Sequence, residues 1–500
     1  MFFNVFQLLW HFFIDCKANL YQFNFGKVTI FRYFPIIVLK LNLNIYKTVY
    51  KIYIMKTHTF KGGIHPSEMK ELAKDSELRS AFPSTNLVWI PVTQGGAPNT
   101  PIVKAGDVVK RGQVIACSDA FMSAPVHASI SGTVKKIENR TVTGNLDAPC
   151  ICIESDNQNT EEFMSVLDPF ALSPEEVVKR IKEAGIVGMG GAAFPTHVKL
   201  SPPKDKEIDC VLANAAECEP YLTVDYRTML EMPEKLVDGL AICVHAVNAK
   251  AGIIVIEDNK IDVVPVLQDA IEKANLSEKI GITVCKTKYP QGGEKTLVKA
   301  ALNREIPAGK LPADCGCVID NVGTLVAISD AFRLGKPLID RSFTASGLAC
   351  ENPCNLTVPV GTLVGDLIPE VIQLKEGVSK IISGGPMMGF AMVNANFPVQ
   401  KNTSGILFLT EKEAPIAEED PCINCGRCTK ACPSILSPVL MNKALIANDI
   451  EEAKFYGLMD CIECGSCAWI CPAHIKLTQR FRIGKNIVRA EMAKNKNGGK

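Results

Sequence analysis

Two cysteine runs near the C-terminal end constrain this chain more than any other feature. Cys422-x-x-Cys425-x-x-Cys428-x-x-x-Cys432-Pro433 recurs as Cys461-x-x-Cys464-x-x-Cys467-x-x-x-Cys471-Pro472. Three thiolates at this spacing wrap one side of an iron–sulfur cubane, and the fourth reaches across to the other cluster of a pair. The pattern assigns one [4Fe–4S] cluster to Cys422, Cys425, Cys428 and Cys471, and a second to Cys461, Cys464, Cys467 and Cys432. Gly426 and Gly465 relieve backbone crowding inside the runs, and Pro433 and Pro472 turn the chain out of the site. Two four-thiolate zinc sites are the alternative, but two complete runs of this exchanging kind are rarely zinc. Between the runs, Leu440, Ala444, Leu445, Ala453 and Leu458 form apolar stripes that predict helices over 434–460, hence a helical two-cluster domain over 412–480.

At 500 residues the chain is too long for one core and calls for several domains. Twenty cysteines, eight of them in the two runs, fit metal-bound thiolates in a reducing compartment better than a disulfide framework. A formal net charge of +1 lacks the Lys/Arg excess of a nucleic-acid groove. The one basic stretch is the tail over 481–500 and the turn before it, with Arg480, Arg482, Lys485, Arg489, Lys494, Lys496 and Lys500. It reads as a solvated helix with a frayed end, or as a dock for an acidic partner or anionic membrane surface. Residues 1–54 differ from the rest and hold five of the nine tyrosines. Asp15, Lys17, Lys27, Arg32 and Lys40 interrupt their apolar stretches before the roughly 18–20 residues of a membrane span. No basic n-region or small-residue cleavage site marks a signal peptide. The expectation is a non-native or disordered leader with the true start at Met55; a membrane anchor is the rival.

From Leu87 to about Ser155, short strands alternate with turns, as in Gly106-Asp107-Val108-Val109-Lys110-Arg111-Gly112-Gln113-Val114-Ile115. This hairpin rhythm resembles the barrel-sandwich fold of biotinyl and lipoyl carrier domains. Those offer a Lys at a hairpin tip, and Phe121–Ala128 here has none, so a structural or docking role is expected for 55–160. His127 is read as a turn or packing residue. Ser173-Pro174-Glu175-Glu176 predicts a capped helix start. Thereafter buried strands at Cys210–Ala213, Gly252–Glu257, Gly281–Val284 and Cys317–Ile319 alternate with helical periods, predicting an α/β layer with a mostly parallel sheet over 165–335. Residues 336–405 revert to short strands with Gly and Pro turns, a small α+β unit.

Gly188-Met189-Gly190-Gly191-Ala192-Ala193 fits G-x-G-x-x-A, but a capped helix precedes it and Pro195 follows, which disfavours an ordinary Rossmann site. The loop still lets a flat or anionic ligand reach backbone N–H groups. Asn214-Ala215-Ala216-Glu217-Cys218-Glu219-Pro220 sets an amide and two carboxylates at a strand's carboxyl end, which pattern alone reads equally well as a structural turn.

Gly188–Leu200, Asn214–Arg227, Tyr289–Thr296 and Asp320–Leu325 resemble the flavin and NADH-binding segments of the flavoprotein subunit of respiratory complex I. With the barrel-sandwich stretch before and the twin cysteine runs after, about 55–480 is similar to the C-subunit family of the Rnf ion-translocating ferredoxin:NAD oxidoreductases. The resemblance implies a multidomain α/β and α+β chain: a β-rich barrel-sandwich domain, an α/β flavin/NADH-binding domain, a small β-grasp (SLBB) domain at 336–405, and a helical two-cluster ferredoxin domain. It implies FMN surrounded by Gly188, Gly190, Gly191, Lys199, Asn214, Glu217, Asn321 and Thr324. It sets Phe194, Glu219, Tyr289 and Glu294 toward the flavin or the nicotinamide dinucleotide. Complex I has Arg where this chain has Met189 and Asp where it has Ala216. The implied activity passes electrons between NAD(H), FMN and two [4Fe–4S] clusters. The implied partners are a ferredoxin-like subunit and a membrane-embedded one, at the cytoplasmic face of the bacterial cell membrane. A flavin-dependent cobalamin reductase and a non-catalytic electron-transfer adaptor use similar modules and are the alternatives.

Overall fold

Apolar runs such as Val211-Leu212-Ala213 and Ile254-Val255-Ile256, every member with no exposed surface, must be covered on both faces, as in a parallel sheet. The computed structural model describes residues 57–497, and the expected leader lies outside the described residues. It forms that sheet from Ile280–Cys285, Ala251–Glu257, Cys210–Ala215 and Cys317–Asn321, in that order, all parallel. The chain lays down Cys210–Ala215 first, adds two strands on one side, then returns to the other side with Cys317–Asn321. The topological switch point therefore falls between these two strands, where Asn214 and Asn321 are register partners. Helices Pro233–Ala246 and Val322–Arg333 pack so closely that a Cβ on Gly239 would lie 1.9 Å from the Leu325 carbonyl oxygen. Leu297, Val298 and Ala300 of helix Glu294–Leu302 join the sheet residues Cys210, Leu212, Val255 and Ile319 in one cluster. Helix Pro174–Glu183 starts on the expected capping box, with Ser173 N donating to Glu176 Oε2 at 2.8 Å and Glu176 N to Ser173 Oγ at 3.3 Å.

The barrel-sandwich stretch pairs Leu87–Pro91, Leu146–Ser155, Gly132–Val142 and Val108–Val109 in one sheet, and Thr100–Pro101, Val114–Cys117 and Val126–His127 in another. Val88, Ile90, Ile115, Val126, Val134, Ile151 and Ile153 fill the space between. His127 lies in a strand rather than a turn. Burial and the nearby Lys401 push its imidazole down to about 3, so it packs as a neutral ring.

The small α+β unit is a six-stranded sheet ordered Leu78–Ser80, Cys354–Pro359, Asp340–Ser346, Gly405–Leu409, Lys380–Ser383, Phe390–Met392. It draws one strand from before the barrel and another, Gly405–Leu409, from beyond the 336–405 span. Between the cysteine runs lie helices Pro438–Ile446 and Ile450–Phe455, and Leu477–Asn497 follows the second run. Part of the basic tail is spoken for by this module. Arg480 pairs with Glu419, and Arg482 and Lys485 with Glu463.

Candidate functional site

The glycine loop leaves helix Pro174–Glu183 and is closed at its neck by Gly188 N donating to the Phe194 carbonyl at 2.8 Å and by a Val187–Pro195 bridge. It lies over the sheet's switch point. A Cβ on Gly190 would stand 3.1 Å from the Asn321 Cβ, and one on Gly188 3.5 Å from Lys199 Nζ. Gly190 and Gly191 are exposed. Met189 N donates to Thr324 Oγ1 at 3.0 Å, and its carbonyl accepts from Arg341 at 3.0 Å.

Below the loop, Asn321 caps helix Val322–Arg333, accepting from Gly323 N at 2.9 Å and donating to Asp225 at 2.7 Å. Asn214 donates to the Gly292 carbonyl at 2.8 Å, tying the strand end to the Pro290–Gly293 turn. Lys199, on the short helix Thr196–Lys199, donates to the Ile319 carbonyl at 3.0 Å and to Asp320 at 3.3 Å. Burial opposes its charge, but Asp320 and Glu294 outweigh that, and its pKa ends above the usual lysine value. Gly188, Gly190, Lys199, Asn214, Asn321 and Thr324 thus gather at the switch point, the place where open α/β sheets form the crevice that takes their ligands.

Other residues are engaged elsewhere. Glu217, in the left-handed region at φ +47°, accepts from Asp225 N at the start of helix Val224–Glu231. Burial, against the pull of Lys70, raises its carboxyl to about 7. Phe194 is half-buried in the loop, and Glu294 is exposed at the first position of its helix. Glu219 accepts from Met387 N and Met388 N at 3.0 and 2.9 Å. Tyr289, 1% exposed, donates to the Cys464 carbonyl at 2.7 Å. Glu219 thus faces a turn of the six-stranded sheet, and Tyr289 faces the cysteine module.

Cys422, Cys425, Cys428 and Cys471 line one cavity, and Cys432, Cys461, Cys464 and Cys467 another. Among the described residues no three His, Cys, Asp or Glu side chains close on a point as ligands of a lone ion do; each set of four thiols surrounds a space. The two runs share one backbone. Asn424 and Glu463 (φ +53° and +56°), Gly426 and Gly465 (+70° and +83°), and Ile435 and His474 (+57° and +50°) occupy matching places. Cys422 and Cys425 are exposed, whereas Cys464 is buried against Ile64 and Tyr289 and Cys467 within the core of the helical module. A Cβ on Gly62 would lie 2.6 Å from the Cys432 carbonyl oxygen, one on Gly63 2.8 Å from that of Tyr289, and Gly63 N donates to the Ala431 carbonyl at 2.9 Å. The segment before the barrel is thus wedged between the α/β domain and the second cavity.

Gly62, Gly63, Lys70, Asp225 and Arg341 were not legible as site residues. Arg341, 2% exposed, arrives from a strand of the six-stranded sheet, and no local pattern marks it. Only the paired glycines Gly62-Gly63 carried a signal, that of a close backbone approach.

Three family models match in chain order: the RnfC barrel sandwich hybrid domain at 58–158, the Nuo51 FMN-binding domain at 181–330 and the 4Fe-4S dicluster domain at 414–472. The chain is 47% identical to the C subunit of the proton-translocating ferredoxin:NAD(+) oxidoreductase complex of Clostridium ljungdahlii, over 86% of this chain and 94% of the relative. It is 41% identical to the C subunit of the Na(+)-translocating complex of Acetobacterium woodii, over 88% of this chain and 99% of the relative. A crystal structure of a NAD+-reducing [NiFe]-hydrogenase superposes with a TM-score of 0.47 at 20% identity, over 63% of each chain. At the identity and coverage of the two bacterial relatives, this chain belongs to the family of C subunits of the ion-translocating ferredoxin:NAD(+) oxidoreductase (Rnf) complexes.

Proposed function

We propose that this chain exchanges electrons between NAD(H), FMN and two [4Fe–4S] clusters as a subunit of a membrane-bound ion-translocating ferredoxin:NAD oxidoreductase. What carries this is the convergence of the glycine loop, Lys199, Asn214 and Asn321 at the switch point of the parallel sheet, in one chain with two four-thiol cavities. When bound, FMN converts the two-electron hydride of nicotinamide into single electrons that iron–sulfur cubanes can take.

The donor sets fit these groups. Gly188, Gly190 and Gly191 leave the loop backbone open to a close ligand, Lys199 supplies a fixed cation for a phosphate, and Asn214, Asn321 and Thr324 supply polar groups along the crevice floor. Glu217 shapes that floor by holding the start of helix Val224–Glu231. Phe194 and Glu294, at the mouth, are assigned to the dinucleotide. Cys422, Cys425, Cys428 and Cys471 would hold the outer cluster, and Cys432, Cys461, Cys464 and Cys467 the inner one. Tyr289 braces the inner site by bonding the Cys464 carbonyl.

The exposed Cys422–Cys425 loop, with Ile423 68% exposed, is where a ferredoxin-like subunit would dock, at the cytoplasmic face of the membrane. Among the described residues no helix is long and apolar enough to cross a membrane, so ion movement is assigned to partner subunits. The two relatives named above are called proton- and Na(+)-translocating, so we assign the choice of ion to those partners as well.

Anaerobic reconstitution followed by iron and flavin analysis tests this. The expected result is about eight irons and one FMN per chain, with the flavin bleached by NADH. Zinc in place of iron, or a colourless protein unresponsive to NADH, would overturn it. Reduction of cob(III)alamin in preference to the clusters would favour the reductase alternative.

A further inference from the structure

Glu219 belongs by sequence to the Asn214–Pro220 strand end, yet its carboxylate is turned away from the crevice. Both oxygens are taken: Oε2 accepts from Met387 N at 3.0 Å and Oε1 from Met388 N at 2.9 Å. The donors lie in the turn Gly384-Gly385-Pro386-Met387-Met388-Gly389, which joins two strands of the six-stranded sheet. The turn is shaped around the carboxylate. A Cβ on Gly385 would lie 2.3 Å from Glu219 Oε2, and one on Gly389 2.4 Å from the Gly385 carbonyl oxygen, so only glycine allows this approach. The Glu219 backbone is pinned as well, its carbonyl accepting from Lys70 Nζ at 3.1 Å.

The far side of the turn rests on the cysteine module. A Cβ on Gly465 would lie 3.1 Å from the Met387 carbonyl oxygen, and Gly465 sits at φ +83° between Cys464 and Cys467. The Met387 side chain packs in one apolar cluster with Ile64, Tyr289, Ala431 and Cys464. One carboxylate at the end of a flavin-domain strand therefore sets the position of a turn from a second domain, and that turn bears on the thiol loop of a third. Each Glu219 oxygen thus holds one charge-assisted backbone hydrogen bond from the turn.

We propose that Glu219 is a positioning residue for the inner cluster: by holding the Gly384–Gly389 turn it fixes the Cys464–Cys467 loop against the flavin domain. This rests on the reading that the crevice holds FMN and that Cys432, Cys461, Cys464 and Cys467 hold a cluster.

The test uses the full chain loaded anaerobically with iron, sulfide and FMN, as wild type, Glu219→Gln, Glu219→Ala and Gly385→Ala. Gly385→Ala forces the turn off the carboxylate without altering the carboxylate itself. In all three variants, flavin content and the NADH concentration that half-bleaches the flavin are expected to match wild type. The EPR signal of the inner cluster shifts and the outer cluster's does not. Electron arrival at the inner cluster after rapid mixing with NADH slows severalfold. Glu219→Ala is expected to exceed Glu219→Gln, which keeps one acceptor. A raised NADH requirement in the Glu219 variants with both cluster signals unchanged would overturn the proposal, making Glu219 a nucleotide contact. An unchanged inner-cluster signal in Gly385→Ala would overturn it too, and that variant decides the matter if Glu219→Ala does not fold. A wild-type chain that takes up neither flavin nor iron would sink the underlying functional reading instead.

Discussion

Asp320 is fully buried, and Lys199 is the cation that lets it be so. The carboxylate has no exposed surface, lies 3.3 Å from the ammonium and ends a strand under the glycine loop. Burial raises the Asp320 pKa, and Lys199 opposes that rise. Removing one member of such a pair strands the other, at a cost of about 3–5 kcal/mol. Lys199→Met should therefore lower stability by roughly that amount and also lose FMN, and the two losses have different causes. Adding Asp320→Asn removes the stranded charge. The double variant should regain most of the urea midpoint and still fail to retain flavin on gel filtration. If flavin returns with stability, Lys199 supports the fold and does not touch the phosphate.

At the scale of elements, local signals transferred well because they rest on short-range chemistry. The capping box at Ser173 and Glu176, the four strand cores and the matched turns of the two cysteine runs all depend on residues within a few positions of one another. Contacts between elements distant in sequence were not legible. Nothing near Arg341 says that its guanidinium meets the Met189 carbonyl, and nothing near Leu78 says that this short strand joins a sheet built by residues 340–409. The tip of the barrel-sandwich stretch is a further case. It carries no swinging lysine, and it sits on the glycine loop. A Cβ on Gly95 would lie 1.8 Å from the Ala193 carbonyl oxygen and one on Gly96 2.8 Å from Pro195 Cγ, while His197 bonds the Phe121 carbonyl at 2.7 Å. Gly95→Ala should unseat this dock and weaken flavin retention while iron content stays at wild-type level. Gly106→Ala is the control: Gly106 has φ +95° with nothing within 4 Å of its Cβ, so it bears backbone strain of about 1–2 kcal/mol and leaves flavin binding alone. Equal flavin loss in both variants would mean that strain, not docking, is responsible.

Across the whole molecule, domains are held together by polar groups that each reach into two neighbours, and Lys401 is the most exacting of these. It follows the six-stranded sheet's Phe390–Met392 strand, is 1% exposed, and donates to Pro125 of the barrel at 2.9 Å and to Gly185 of the flavin domain at 2.7 Å. Among the described residues no carboxylate pairs with it, and burial pushes its ammonium down to about 7. The ordinary value is 10.5, so between about pH 7 and 10.5 the unfolded chain binds more protons at this position than the native one. Stability from this group therefore rises with pH through that window, is complete above the unfolded value and is lost as pH falls toward 7. His127, held neutral down to about 3, does not titrate there. Lys401→Met keeps the length and removes the titration, leaving two carbonyls without their donor at about 1–3 kcal/mol each. The variant's urea midpoint should lie nearest the wild type's at pH 7, where the native lysine bears the cost of its buried charge. The gap should widen steadily toward pH 10, where the neutral amine still bonds both carbonyls. A gap that stays constant from pH 7 to 10 would show that Lys401 keeps an ordinary lysine pKa in the folded protein and that a screened charge, not a buried amine, joins the three domains.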